Sequence, residues 1–205
     1  RSTTKFVGRG GFDYYDLKTN ALFPSSLQFQ EVNKGTSIQG TTQNMNTNFI
    51  LGLVNTYTPS DQFSLTSSAG ITQETGNYDN LLNVATQVIS GQSNVNQAGA
   101  LTATQLRKKN RDNGIFIQEE VSIKDAITVT AGVRFDQSSN NGDVSKYYTY
   151  PKAGVSWNLT RSGIGDDIFD NLKVRAAYGE SGNFPVYGSK FTSFAVSNIE
   201  GLPGS

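Results

Sequence analysis

The chain has 205 residues, with 17 Lys plus Arg against 17 Asp plus Glu, no Cys and no His. Zero net charge offers no basic stripe for nucleic acid, and the missing thiols and imidazoles exclude Cys nucleophiles, disulfides, His-based triads and the common zinc sites. No run of about 18 apolar residues could form a transmembrane helix, and Arg1 to Phe6 lack the pattern of a secretion signal.

Apolar and polar residues alternate along most of the chain, the period of strands. Thr4 to Tyr15 is the first expected strand, Gly-rich in its middle and ending in Phe12, Tyr14 and Tyr15. Thr47 to Tyr57 carries Phe49, Leu51 and Leu53 at odd positions. After an expected turn at Pro59-Ser60-Asp61 the odd series resumes as Phe63, Leu65, Ala69 and Ile71, so the two strands form a hairpin. A second hairpin sets Ile115, Ile117, Val121 and Ile123 before the turn Lys124-Asp125-Ala126, and Ile127, Val129, Ala131, Val133 and Phe135 after it. Glu119 interrupts that apolar face. A charge at mid-depth on a lipid face costs a few kcal/mol, so Glu119 is expected either near the interface or at a bulge that shifts the register. Tyr150 to Leu159 (Ala153, Val155, Trp157, Leu159) and Asn171 to Glu180 (Leu172, Val174, Ala176, Tyr178) complete the set.

Each expected strand is about 9 to 12 residues, the length of a tilted crossing of a hydrocarbon core. The connectors after Tyr57, Ile123 and Leu159 read as short, and those after Tyr15, Ile71, Phe135 and Glu180 as long and rich in Asn, Gln, Ser and Gly. This alternation predicts tight turns at a periplasmic rim and long loops outside, with Thr4 to Tyr15 running outward. Aromatic residues near strand ends, among them Tyr57, Phe135, Tyr150, Trp157 and Tyr178, suit the interfacial girdles. The expected fold is all-β: an antiparallel transmembrane β-barrel, present as an incomplete wall segment of about seven strands, because bacterial single-chain barrels have an even number. Residues 1–205 are expected to be part of a single barrel domain, and the turn-like end Gly201-Leu202-Pro203-Gly204-Ser205 reads as that of a fragment.

Candidate sites are weak. Gly8-Arg9-Gly10-Gly11 lacks the Lys-Ser/Thr and the following helix of a phosphate loop. Between Asp136 and Asp143, aligning Gly142 with the central Gly of a calcium loop puts Gln137 where an acid is required, so a polar outer turn is favoured. Asp166, Asp167 and Asp170 resemble a carboxylate pair for acid–base work, but an Asp-rich solvated connector is the plainer account. Asn158-Leu159-Thr160 matches a glycosylation sequon on a strand end and carries no weight. Arg134, Asp136, Lys152, Lys173 and Arg175 should face the lumen, where a polar solvated interior accounts for them without any ligand. The connector from Gln73 to Asn110 is the better candidate for ligand or partner contact, since loops on a rigid wall commonly hold function. No catalytic, cofactor or metal residues are assigned, and no enzyme activity is expected.

Four stretches stand out: Asn113-Gly114-Ile115-Phe116; Ala131-Gly132-Val133-Arg134-Phe135-Asp136-Gln137-Ser138-Ser139; Tyr150-Pro151-Lys152-Ala153-Gly154-Val155-Ser156-Trp157; and Asn171 through Gly179 followed by Ser181-Gly182-Asn183. Together they resemble the TonB-dependent receptors of the Bacteroidetes, in the SusC/RagA-like branch. Phe12-Asp13-Tyr14-Tyr15 and Phe23-Pro24-Ser25-Ser26 add a weaker match upstream. The sequence departs from the branch at Gln137, where Gly is usual, and at Gln118-Glu119-Glu120-Val121, which lacks a Tyr-rich pattern. The resemblance implies an outer-membrane importer of a glycan or peptide, set in outer-membrane lipid and working with a SusD-like surface lipoprotein. Coupling to TonB would run through a region outside this chain, since neither a plug domain nor a TonB box is found in it. Two other readings stand beside it: a receptor-like barrel serving as a structural or secretion component, and a soluble β-sandwich adhesin. The sandwich would require Phe49, Leu51, Phe63, Leu65, Val129 and Val133 to be buried in a core.

Overall fold

The computed structural model describes residues 1–192, together with the backbone of 197–199 and 202–204. Seven strands lie in one sheet in sequence order: β1 (Ser2–Phe23), β2 (Thr36–Ser60), β3 (Phe63–Thr86), β4 (Ala100–Ile123), β5 (Ile127–Ser138), β6 (Tyr148–Asn158) and β7 (Lys173–Gly179). The sheet is open, with β1 and β7 as its edges. The short strands β8 (Ser197–Ile199) and β9 (Leu202–Gly204) pair antiparallel in a separate sheet, so Leu202–Gly204 of the sequence's turn-like end is strand; Gly201 and Ser205 lie outside the described residues.

All seven expected strands are present in the expected order, but β1 to β4 are about twice as long as predicted. The stretch Gln73 to Asn110, expected as a loop, is mostly strand: β3 runs to Thr86 and β4 begins at Ala100. Likewise the connector expected after Tyr15 shrinks to residues 24–35. These added lengths carry Thr, Asn and Gln on both faces, which suits a strand bathed in water on both sides and shows no alternation. The turn expected at Pro59-Ser60-Asp61 is displaced to Asp61 and Gln62, leaving Pro59 and Ser60 inside β2. Alternation of short and long connectors also fails at one place. The connector 159–172 is longer than the outer connector 139–147, and it is stabilised by its own one-turn 3-10 segment at Thr160–Ser162.

Two compact units divide the chain. One comprises Arg1–Val7, Gly52–Ile71 and Asp112–Ser205, the other Gly8–Leu51 and Thr72–Arg111. In the first, β4, β5, β6 and β7 pair antiparallel in unbroken register. Cross-strand partners share a face, so one face collects Ile115, Ile117, Val121, Val129, Val133, Val155, Trp157, Val174 and Tyr178, and the other Gln118, Thr130, Arg134, Lys152, Ser156 and Arg175. The apolar face is exposed: Ile117 is 50% accessible, Val174 55% and Tyr178 61%. Among the described residues only Ala85 and Ala126 are buried apolar side chains, and Phe49 and Leu51 stand open, so no protein core exists and the sandwich reading fails. A soluble sheet with such a face would aggregate, whereas hydrocarbon accepts it.

Glu119 corrects both alternatives offered for it. Its register partner is Ala131, with Ile117↔Val133 and Val121↔Val129 on either side, so there is no bulge. It also stands midway between Ile115 and Ile123, at the centre of the apolar stripe and not at its margin. Its carboxylate accepts a hydrogen bond from Ser67 Oγ at 2.7 Å.

The β4–β5 connection is the three-residue Lys124-Asp125-Ala126: Lys124 (φ 51°) and Asp125 (φ 50°) are both left-handed, as at the centre of a type I′ turn, and Ala126 N–H donates to Ile123 O at 3.0 Å. In the second unit, polar side chains knit neighbouring strands. Asn80 donates to Thr42, and the fully buried Ser37 hydroxyl donates to Ser93 O at 2.8 Å. Gly8 and Gly10 lie in β1, where Leu51 and the Phe49 ring reach over them, so this glycine run is a place where long side chains cover bare backbone and not a phosphate loop.

Candidate functional site

The polar face of β4, β5 and β6 opens into a cleft of about 600 Å³, lined among others by Phe116, Gln118, Arg134, Asp136, Tyr150, Lys152 and Glu180. Its floor is set by register: Phe116 pairs with Arg134 and Arg134 with Tyr150, and Gln118 pairs with Gly132 and Gly132 with Lys152. Gly132 is needed there. A Cβ at that position would come within 3.0 Å of Ile117 O, 3.1 Å of Lys152 Cε and 3.3 Å of Gln118 Cβ. A second glycine shapes the outer edge, because a Cβ on Gly182 would overlap the Tyr150 hydroxyl and ring.

Arg134 Nε bonds both carboxylate oxygens of Asp136, at 2.7 and 2.9 Å, and holds the two side chains along β5. Tyr178 Oη donates to Glu180 at 2.5 Å, which fixes the carboxylate just past the end of β7. Arg134 and Lys152 with Asp136 put both signs of charge beside the two rings of Phe116 and Tyr150. Such a surface can hold a polar ligand through charge-assisted hydrogen bonds while stacking its flatter parts.

Of the residues expected to face a lumen, the cleft gathers Arg134, Asp136 and Lys152. Lys173 and Arg175 share their face but pair with Asn158 and Ser156, toward the 159–172 connector and away from the cleft. Phe116, Tyr150, Glu180 and Gly182 escaped sequence reasoning; the period-2 pattern places Phe116 and Tyr150 on the polar face, and reading that face across strands would have found them.

The remaining candidates are turns. Gln137 Nε2 donates to Val144 O at 2.8 Å and Gln137 Oε1 accepts from Asn113 Nδ2 at 3.2 Å, closing the outer loop, and Asp143 accepts from the Ser145 hydroxyl and backbone N–H at 2.5 and 2.9 Å. These Ser145 bonds hold the Asp143 carboxyl below its ordinary value. Asn158 Oδ1 accepts from Thr160 Oγ1 and Arg161 N, which makes the sequon a cap for the turn after β6. Asp166, Asp167 and Asp170 are all exposed, and no group of three or more acidic residues is placed to hold a metal among the described residues.

A sheet with one open apolar face, a polar opposite face and tight turns at β2–β3 and β4–β5 is the wall of a transmembrane β-barrel. The chain belongs to the TonB-dependent receptor-like β-barrel family, whose model matches residues 2–204, and it is accordingly an outer-membrane protein. It is 39% identical over 62 residues to the TonB-dependent receptor P26 of Formosa agariphila, an alignment covering 29% of this chain and 6% of that protein. Its fold matches a chain of the RagAB peptide transporter with a TM-score of 0.86 at 14% identity, over 96% of this chain and 23% of that one. The closed-closed state of the RagAB peptide importer matches at 0.81 and 13% identity, covering 98% and 23%. The chain thus spans about a quarter of the length of these solved relatives.

Proposed function

We propose that this chain is a strip of the barrel wall of a SusC/RagA-like importer, residues 1–205 belonging to one barrel domain. In this reading the complete receptor takes up a nutrient at the cell surface using energy relayed by TonB. The supporting observation is the continuous family match over residues 2–204. The cleft's paired signs of charge beside Phe116 and Tyr150 suit a zwitterionic, peptide-like cargo better than a neutral glycan, in line with the peptide named for RagAB. A SusD-like surface lipoprotein is the expected partner, and TonB engages a region outside this chain.

The test is growth of a deletion strain on single nitrogen and carbon sources, complemented by the full gene or by variants at Arg134 and Lys152. Loss of growth on defined oligopeptides, restored by the wild-type gene, supports import. Normal growth on every nutrient with a motility or secretion defect would instead mark the barrel as a component of another envelope assembly.

A further inference from the structure

Lys152 stands in register between two glycines, Gly132 on β5 and Gly179 on β7. Its stem leans toward β5: Lys152 Cε lies 3.1 Å from the point that a Cβ on Gly132 would take, and Gln118 Cβ reaches within 3.3 Å of the same point from β4. A bare patch of β5 backbone therefore separates the end of the lysine from the glutamine, and no side chain of β5 stands between them. In the adjoining row Phe116, Arg134 and Tyr150 are in register, which puts an aromatic ring on each side of the guanidinium.

The other charges in and beside the cleft already have partners. Arg134 and Asp136 form an ion pair at 2.7 Å, and the Glu180 carboxylate accepts from Tyr178, a residue of the apolar face. Glu120, one row farther along β4 than Gln118, takes the Thr130 hydroxyl at 3.4 Å. Lys152 has no ion pair, and the Gln118 amide no hydrogen bond, among the described residues. One ammonium and one carboxamide thus face the cleft side by side, and together they call for an anionic acceptor.

We propose that Lys152 and Gln118 bind a carboxylate of the peptide cargo, with the part of the chain that bears it lying against Phe116 and Tyr150. A carboxylate offers one oxygen to Lys152 Nζ and the other to Gln118 Nε2, and charge-assisted bonds of this kind are about twice as strong as neutral ones. The peptide's C-terminus and an Asp or Glu side chain present this same group. This inference rests on the importer reading above and deepens it, because it names the group by which cargo is selected.

The experiment measures uptake by cells that carry the full-length receptor and its partners, using three fluorescent hexapeptides at limiting concentration. One has a free C-terminus and no acidic side chain, the second is its C-terminal amide, and the third is that amide with one internal Glu. Wild type is expected to take up the free acid, the Glu-bearing amide or both about tenfold faster than the plain amide. A preference for the free acid alone assigns the peptide terminus, and one for the Glu-bearing amide alone assigns a side chain. K152Q and K152M keep a stem over Gly132 but lose the ammonium, so both should bring the preferred peptide to within about twofold of the plain amide. K173Q, away from the cleft on the same face, should match wild type. Heat-modifiable gel mobility of each variant confirms a folded barrel. Equal uptake of all three peptides by wild type, or a preference that K152Q and K152M both retain, would overturn the carboxylate site while peptide import stands. Slowing of all three alike by these variants would overturn it too. Failure of the receptor to take up any of the peptides would overturn the peptide reading and this inference with it.

Discussion

Glu119 offers the sharpest check on the membrane reading, because it puts an ionisable side chain at the middle of the outward stripe. Four residues separate it from Ile115 and four from Ile123, about 13 Å of strand each way and about 10 Å of depth at the usual tilt, close to the midplane of a band about 25 Å tall. Carboxylates at that depth cost less than the 2–4 kcal/mol of a Lys or Arg, so Glu119→Leu should stabilise the barrel by roughly 1–3 kcal/mol. Ser67→Ala in the wild-type background removes the 2.7 Å bond to the carboxylate and should destabilise by about 1 kcal/mol, while in the Glu119→Leu background it should do almost nothing. The double-mutant cycle therefore gives a coupling of about 1 kcal/mol. Equilibrium unfolding of the complete barrel in lipid vesicles, followed by tryptophan fluorescence and gel mobility, measures all four corners. Destabilisation by Glu119→Leu, with coupling below about 0.3 kcal/mol, would show that this face does not meet hydrocarbon.

The two faces should respond oppositely to charge. Val129→Lys is expected to cost about 2–4 kcal/mol in the same unfolding assay, and Thr130→Lys, one residue on but facing inward, less than about 1 kcal/mol. Replacing Lys124-Asp125 by Asn-Gly relieves two left-handed non-glycine residues and should raise stability by about 1 kcal/mol, read from the denaturation midpoint. Gly182→Ala pushes Tyr150 from its place; uptake of labelled oligopeptide should fall while unfolding stays within about 0.5 kcal/mol of wild type. In the outer loop, Ser145→Ala should bring the Asp143 carboxyl back up toward 3.8, which a carboxyl-resolved infrared titration would detect. A depressed carboxyl means that this loop contact is present above the unfolded value and is lost as pH falls through the folded one.

The membrane-crossing part of each strand was legible in the sequence because hydrocarbon on one side and water on the other impose a strict period of two. Val129, Ala131 and Val133 against Thr130, Gly132 and Arg134 need no structure to interpret. The same physics hid the outward lengths of β1 to β4: water touches both faces of residues such as 72–80 and 102–111, so no alternation marks them as strand, and pairing with neighbours, visible only in the fold, keeps them extended. Composition also settled what the chain could not do by Cys or His chemistry. Tertiary structure alone decided which residues share a site. Ser67 was a silent member of an apolar series until register carried it to Glu119, and Phe116, Arg134 and Tyr150, drawn from three strands, became one cleft only when unbroken antiparallel pairing aligned them. Local sequence carries the side on which a residue points, whereas its neighbours across the sheet depend on register, which distant turns and hydrogen-bond ladders determine.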